Sequence, residues 1–385
     1  MTAGGAYHPL SPTRILDTRS GLGGRMSPLQ NGESWALPVA GQGGVPGKAL
    51  AAVLNVTVTG TTASSYLTVF PDGVSRPNAS NLNWVAGETI PNLVEVKLGS
   101  GGKVDLYNFQ GQADVVVDVE GWVSGPQAVT NSAGLYAPLQ PARLLDTRSG
   151  IGGSTTVGSG STISLQVAGR GEVPAQGVAA VVLNVTVTNP TAPSFLTVWP
   201  TGSLLPNASN LNFTAGQTIA NRVIVKLGAN GQVDIYNFQG HTDVVVDVNG
   251  WFTDGSGASG TSFVPLAPYR VLDTRAGIGG YNSPVPGGGT IAVQLAGQGG
   301  VPPMNASTPP KAVVVNLTVT NTTAGSFMTA WPDGTTRPGT SDLNWVGGVT
   351  IPNLVVVQVG ANGKVDLYNL AGSTDVVVDV VGYYT

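Results

Sequence analysis

Asp17, Asp146 and Asp273 sit in one phrase written three times: RILDTRSGLGG from Arg14, RLLDTRSGIGG from Arg143 and RVLDTRAGIGG from Arg270. The aspartates lie 129 and 127 residues apart, and other phrases keep the same register. LNVTVT at Leu54 recurs at Leu183, with VNLTVT at Val315. YLTVFPDG at Tyr66 matches FLTVWPTG at Phe195 and FMTAWPDG at Phe327. A unit of this size can bury its own core, whereas short solenoid repeats need their neighbours to fold. Three homologous domains are therefore expected, at 1–124, 136–253 and 263–385. The small, polar stretches 125–135 and 254–262 read as linkers.

Each unit reads as strands. In the second copy, RLLDT, TISLQVAG, AAVVLNVTVT, FLTVWP, SNLNFT, RVIVKLG, QVDIYNF and TDVVVDVNGW are rich in β-branched and aromatic residues, and Gly, Pro and Asn punctuate them. GANGQ at Gly228 places Asn-Gly between two such runs, which predicts an antiparallel hairpin of VKLG with QVDIYNF. Seven or eight short strands without helix predict an all-β chain: three tandem antiparallel β-sandwiches of jelly-roll or Greek-key type. A propeller fits less well, because three blades fall short of the usual four to eight or so.

Composition narrows the function. Only 10% of residues are charged and the net charge is −4 with no block of Lys or Arg, so no basic face for nucleic acid is expected. The longest apolar runs, such as VAAVVLNVTV, are interrupted and too short to span a bilayer as a helix, so no membrane insertion is expected. Without cysteine there is neither a disulfide nor a thiolate ligand. MTAGGAYHPL lacks the charged and apolar regions of a signal peptide.

An Asp-Thr pair beside glycines resembles an aspartic-protease loop, yet Arg19 stands where that loop has Gly, and a neighbouring cation keeps Asp ionised. The structural reading is a clasp: Asp17 with Arg19, Asp146 with Arg148 and Asp273 with Arg275, tying the first strand of each unit to the last. Asp114 and Asp118 alternate onto one face of that last strand and are candidate partners. A calcium site built from Asp17, Asp114 and Asp118 is the alternative, with Arg competing against the cation. The two histidines, His8 and His241, have no counterparts in the other units, and no nucleophile or phosphate-loop motif appears, so neither catalysis nor a cofactor or metal is expected.

The repeated aromatics are the candidate binding residues. In NLNW, NLNF and DLNW an amide stands beside a ring, a combination suited to sugars: Asn81, Asn83 and Trp84; Asn210, Asn212 and Phe213; Asn344 and Trp345. The competing reading is that these rings plug the ends of each sandwich. Asn55, Asn184 and Asn316 match the N-glycosylation pattern, but their place within strands favours a polar ladder.

Taken together, LDTR with its glycines, LNVTVT, SNLN followed by AGQTI, and VDIYN followed by DVVVDVNGW resemble a β-rich repeat common in secreted proteins of actinobacteria. The resemblance covers nearly the whole chain and implies an extracellular, accessory role without catalytic residues. Similar non-catalytic modules occur in phage tails. The expectation is a non-enzymatic extracellular protein that recognises or decorates a bacterial cell surface through multivalent weak contacts to a glycan or wall polymer. The alternative is a structural virion component, a tail or fibre protein packing against other subunits.

Overall fold

A computed structural model describes residues 4–125 and 132–385. Most of the first predicted linker lies outside the described residues. The first repeat folds into β1 (Tyr7–Asp17), β2 (Ser34–Pro38), β3 (Ala51–Thr59), β4 (Ser65–Pro71), β5 (Leu82–Trp84), β6 (Ile90–Lys97), β7 (Lys103–Asn108) and β8 (Asp114–Val123). The second gives β9 (Ala133–Asp146), β10 (Ser161–Gln166), β11 (Val178–Thr188), β12 (Ser194–Pro200), β13 (Leu211–Phe213), β14 (Ile219–Lys226), β15 (Gln232–Asn237) and β16 (Asp243–Asp254). The third gives β17 (Phe263–Asp273), the two-residue β18 (Val285–Pro286), β19 (Thr290–Gln294), β20 (Ala312–Thr320), β21 (Ser326–Pro332), β22 (Leu343–Trp345), β23 (Ile351–Gln358), β24 (Lys364–Asn369) and β25 (Ser373–Tyr384).

Two antiparallel sheets arise from each repeat. In the first repeat their orders are β1-β8-β3-β6 and β2-β7-β4-β5, and the other repeats follow suit, with β18 added beside β25. This interleaving of early and late strands is the order of paired Greek keys in a jelly roll. The predicted hairpin at Gly228 is corrected. The turn exists, with Asn230 at φ 59°, but β14 pairs with β11 and β15 pairs with β10 and β12, so the chain crosses between sheets there.

Burial shows why. β7 alternates, with Val104, Leu106 and Asn108 buried and Lys103, Asp105 and Tyr107 half-buried, as in a sheet with one wet face. β3, β6 and β8 are buried almost throughout, so their sheet is covered on both faces. One parity of β3 (Ala52, Leu54, Val56, Val58) packs with Leu67, Val69 and Leu106 of the second sheet. The other parity (Ala51, Val53) joins a second core with Ala180, Val182, Ala312 and Val314 from the other two repeats. Tyr7, Tyr136, Phe252, Phe263 and Tyr384 supply the rings of that shared core.

Three sandwiches strung in tandem is therefore corrected: the repeats close in a threefold-like ring around a common centre. The small sheets repeat radially, as in a propeller, with the strand orders of a jelly roll. β6, β14 and β23 meet one another at the centre. A bare sheet edge would leave backbone groups unpaired; here a neighbour's asparagine meets each. Leu93 N–H donates to Asn221 Oδ1 (3.2 Å), Arg222 N–H to Asn353 Oδ1 (2.9 Å) and Leu354 N–H to Asn92 Oδ1 (3.1 Å). The amide nitrogens of the same asparagines donate across repeats as well: Asn221 to Asn55 (3.0 Å), Asn353 to Asn184 (2.9 Å) and Asn92 to Asn316 (2.8 Å). Asn55, Asn184 and Asn316, which match the glycosylation pattern, are each 1% exposed and committed to these seams.

The Gly-aromatic pair that ends each repeat also has a packing cause. Cβ atoms on Gly121, Gly250 and Gly382 would stand 2.4, 2.5 and 2.4 Å from the rings of Tyr7, Tyr136 and Phe263, so the central rings lie directly on these glycines.

Candidate functional site: three clefts between repeats

β1 ends at Asp17, and its carboxylate turns back to receive the phrase that follows. Arg19 donates to it from its backbone N–H (3.1 Å), Nε (2.8 Å) and Nη2 (2.7 Å). Asp146 with Arg148 and Asp273 with Arg275 repeat the bidentate pair at 2.7–2.9 Å. The tie between first and last strands is made by a different arginine. Arg14 grips Asp118 with Nε (2.8 Å) and Nη2 (3.1 Å), as Arg143 grips Asp247 and Arg270 grips Asp379. Thr18 Oγ1 donates to Asp114 (2.7 Å).

The electrostatics follow this arrangement. The hydrogen-bonded Arg19 guanidinium holds the Asp17 carboxyl below its usual range, and Arg148 does the same for Asp146. Burial pushes Asp118, Asp247 and Asp379 up, and their arginines only partly offset it. Of the calcium alternative, guanidinium and hydroxyl groups occupy the carboxylates that a cation would need. No group of three or more metal-ligating side chains occurs among the described residues.

The arginines have a second side. Arg19, Arg148 and Arg275 keep about half of their side-chain surface exposed, at 50%, 46% and 44%. Each faces the next repeat across a cleft. Arg14 and Arg19 look onto Phe195, Asn212, Tyr236 and Phe238 in a cleft of about 360 Å³. Arg143 and Arg148 look onto Phe327, Ser341 and Asn344 in one of about 210 Å³. Arg270 and Arg275 look onto Tyr66, Ser80 and Asn83 in one of about 160 Å³.

The predicted NLNW residues divide by strand parity. Asn83, Asn212 and Asn344 point outward and line the clefts, each accepting from the serine three residues earlier at 2.9–3.1 Å. Trp84, Phe213 and Trp345 point inward, 2–4% exposed, and belong to the cores. Asn81 and Asn210 are buried, and their Oδ1 atoms accept the backbone N–H of Val69 and Val198 at 2.7 Å. These five are corrected from ligand contacts to internal supports. Tyr66, Phe195 and Phe327, with Tyr107, Tyr236 and Tyr368 beside them on the outer sheets, were not singled out from the sequence. The alternation of VDLYN, with Val104 and Leu106 inward, was the signal that sets Tyr107 outward.

No family model matches this chain, and no curated relative matches it. Solved structures with partial likeness include a chain from the triple jelly roll fold and turret assembly of an archaeal virus. It is 11% identical, with 99% of this chain and 89% of that one covered and a TM-score of 0.19. A chain of Sulfolobus turreted icosahedral virus is 10% identical over 93% of this chain and 84% of its own, at TM-score 0.19. The CBM22-1–CBM22-2 tandem of Paenibacillus barcinonensis Xyn10C is 12% identical over 67% of this chain and 99% of its own, also at 0.19. Likeness at that level carries no functional argument. No helix among the described residues is long and apolar enough to cross a membrane.

Proposed function

We propose that this protein is a non-catalytic extracellular module that recognises a bacterial surface glycan or wall polymer through the clefts between its repeats. The observation that carries this reading is the threefold recurrence of one constellation. A half-exposed guanidinium, an outward amide and an aromatic side chain converge across every seam. Rings stack on the apolar faces of sugars, while guanidinium and amide groups bond their oxygens. Three such clefts fixed in one body add weak contacts along a repeating polymer. The resemblance to repeats of secreted actinobacterial proteins supports the extracellular setting.

The test is co-sedimentation of the full chain with purified bacterial cell walls and binding to a glycan array. Replacing Asn83, Asn212 and Asn344 together with alanine should weaken binding at least tenfold without changing thermal stability by more than a few degrees. Wild-type protein that binds no wall and no glycan refutes the reading.

The second reading is a structural virion component, and the closed ring favours it. One chain here joins three sandwiches around a common core in a threefold-like body. Ordered oligomers or particles in electron micrographs, with no saccharide binding, would establish that role instead.

A further inference from the structure

The three clefts are built from equivalent positions but are not equal. At Arg76, Leu205 and Arg337 the repeats diverge. The Arg76 guanidinium lies over the ring of Tyr107 at 4.0 Å and that of Arg337 over Tyr368 at 3.6 Å, both within cation–π range. Arg76 also donates to Tyr66 Oη at 3.3 Å. Those two tyrosine faces are covered, and neither ring lines its cleft. In the second repeat leucine takes the place of arginine, and Tyr236 lines the cleft with Leu205 at its rim. Phe238 stacks on Phe195 beside it, ring centroids 4.9 Å apart and planes within 12°, and stays half exposed.

We infer that the cleft between the first and second repeats is the principal saccharide site, with Tyr236 as its stacking platform. Arg76 and Arg337 cover the tyrosines beside the other two clefts, which remain as weaker subsites. The inference rests on the saccharide reading above and adds a ranking and a valence. Size points the same way: small-molecule sites start at roughly 300 Å³. Only the first of these clefts, at about 360 Å³, exceeds that, against about 210 and 160 Å³. The ligand is a pyranose whose apolar face meets Tyr236 and whose hydroxyl or carbonyl oxygens meet Arg19. Two of the three Arg19 guanidinium nitrogens are held by Asp17, which sets the group's plane and neutralises its charge. The site therefore suits an uncharged sugar at least as well as an acidic one.

The experiment is isothermal titration of the full chain with two probes, chitotetraose and a tetragalacturonate. The wild type should bind one tetrasaccharide per chain. Leu205→Arg, which copies the other repeats, should weaken binding at least tenfold while leaving the melting temperature unchanged. Arg76→Leu should raise the stoichiometry towards two. Binding at three equal sites, or wild-type affinity in Leu205→Arg, overturns the ranking and leaves the saccharide reading standing. No binding of either probe by the wild type overturns this inference. If the cell-wall and array assays are negative as well, the broader reading falls with it.

Discussion

Arg222 is the largest side chain with no solvent exposure among the described residues, and it stands at the centre of the ring. Its Nη2 donates to Asp342 of the third repeat (2.7 Å), its Nε to the Leu354 carbonyl (3.0 Å) and its Nη1 to Asn249. The equivalent positions in the other repeats are Leu93 and Leu354, and those of Asp342 are Asn81 and Asn210. Arg222→Leu alone removes the cation and leaves a buried carboxylate with one oxygen unpaired. The expected cost is about 3–5 kcal/mol, or roughly a 1 M fall in urea midpoint for an m-value of about 3–4 kcal/mol per M, set by a chain of this size. Asp342 Oδ2 also accepts the Ala330 N–H at 2.8 Å, as the Asn81 oxygen does for Val69. Asp342→Asn therefore keeps that bond and removes the charge. Arg222→Leu, Asn249→Val and Asp342→Asn together write Leu354, Val381 and Asn81 of the neighbouring seam into this one. The triple variant should return to within about 1 kcal/mol of wild type or exceed it, since a packed apolar replacement of a buried pair is often neutral or stabilising. Urea unfolding followed by tryptophan fluorescence measures both. A neutral single variant, or a triple variant as unstable as the single, refutes the account of the pair as an exchangeable element of the seam.

Three other outcomes are expected. Glu95 is buried in the shared core, neither carboxylate oxygen has a hydrogen-bond partner among the described residues, and burial raises its pKa to about 8. The folded chain thus holds a proton on Glu95 that the unfolded chain has lost, and the contribution of this group to stability falls as pH rises from the ordinary carboxylate value of 4.5 to about 8, then levels. Glu95→Ile, copying Ile224, should reduce that slope, leaving the part that Glu120, likewise buried with its pKa raised by burial, contributes, and raise stability at pH 8 by on the order of a few kcal/mol; an unchanged slope in pH-dependent urea titrations counts against it. Asn92→Ala deprives the Leu354 N–H of its acceptor and the Asn81 and Asn316 oxygens of a donor, and should cost about 3 kcal/mol or more in the same assay. The second repeat expressed alone exposes Tyr136, Ile224, Phe252 and Arg222, which the whole chain buries, so it should self-associate in light scattering. A soluble, folded monomer would contradict the shared core.

Much of this was legible from residues. The β-branched runs locate all eight strands of the second repeat, and the alternation of DVVVDV sets Asp114 and Asp118 apart from Val115, Val117 and Val119. What the strand signal did not convey is the second buried face. VAAVVLNVTV reads equally as one apolar run whether its far side meets solvent, a second sheet or another repeat, and only the near-continuous burial of β11 distinguishes them. The same ambiguity misassigned Trp84 and Asn81. An amide beside a ring suits a sugar site and a sheet end alike, and strand parity, which depends on knowing which face is wet, decides between them. Sequence proximity favours Arg19 as the partner of Asp17 and hides the role of Arg14, whose partner Asp118 is 104 residues away and adjacent across β1 and β8.

The most informative positions are those at which the three copies disagree. A homotrimer of one repeat must place the same residue in every seam, so a lone buried arginine at its centre would meet two more of its kind. A single chain escapes that constraint. Arg222 stands where the other repeats have leucine and Asp342 where they have asparagine, and either without the other leaves a buried charge unpaired. That coupled departure specifies which repeat sits beside which. Leu205 is the same freedom used on the outside: one copy loses the arginine that covers its tyrosine, and one of three equivalent clefts opens. Three non-identical repeats in one chain thus account for both the fixed order at the centre and the inequality at the rim, and swapping Leu205 and Arg76 between repeats should move the open cleft without disturbing the ring.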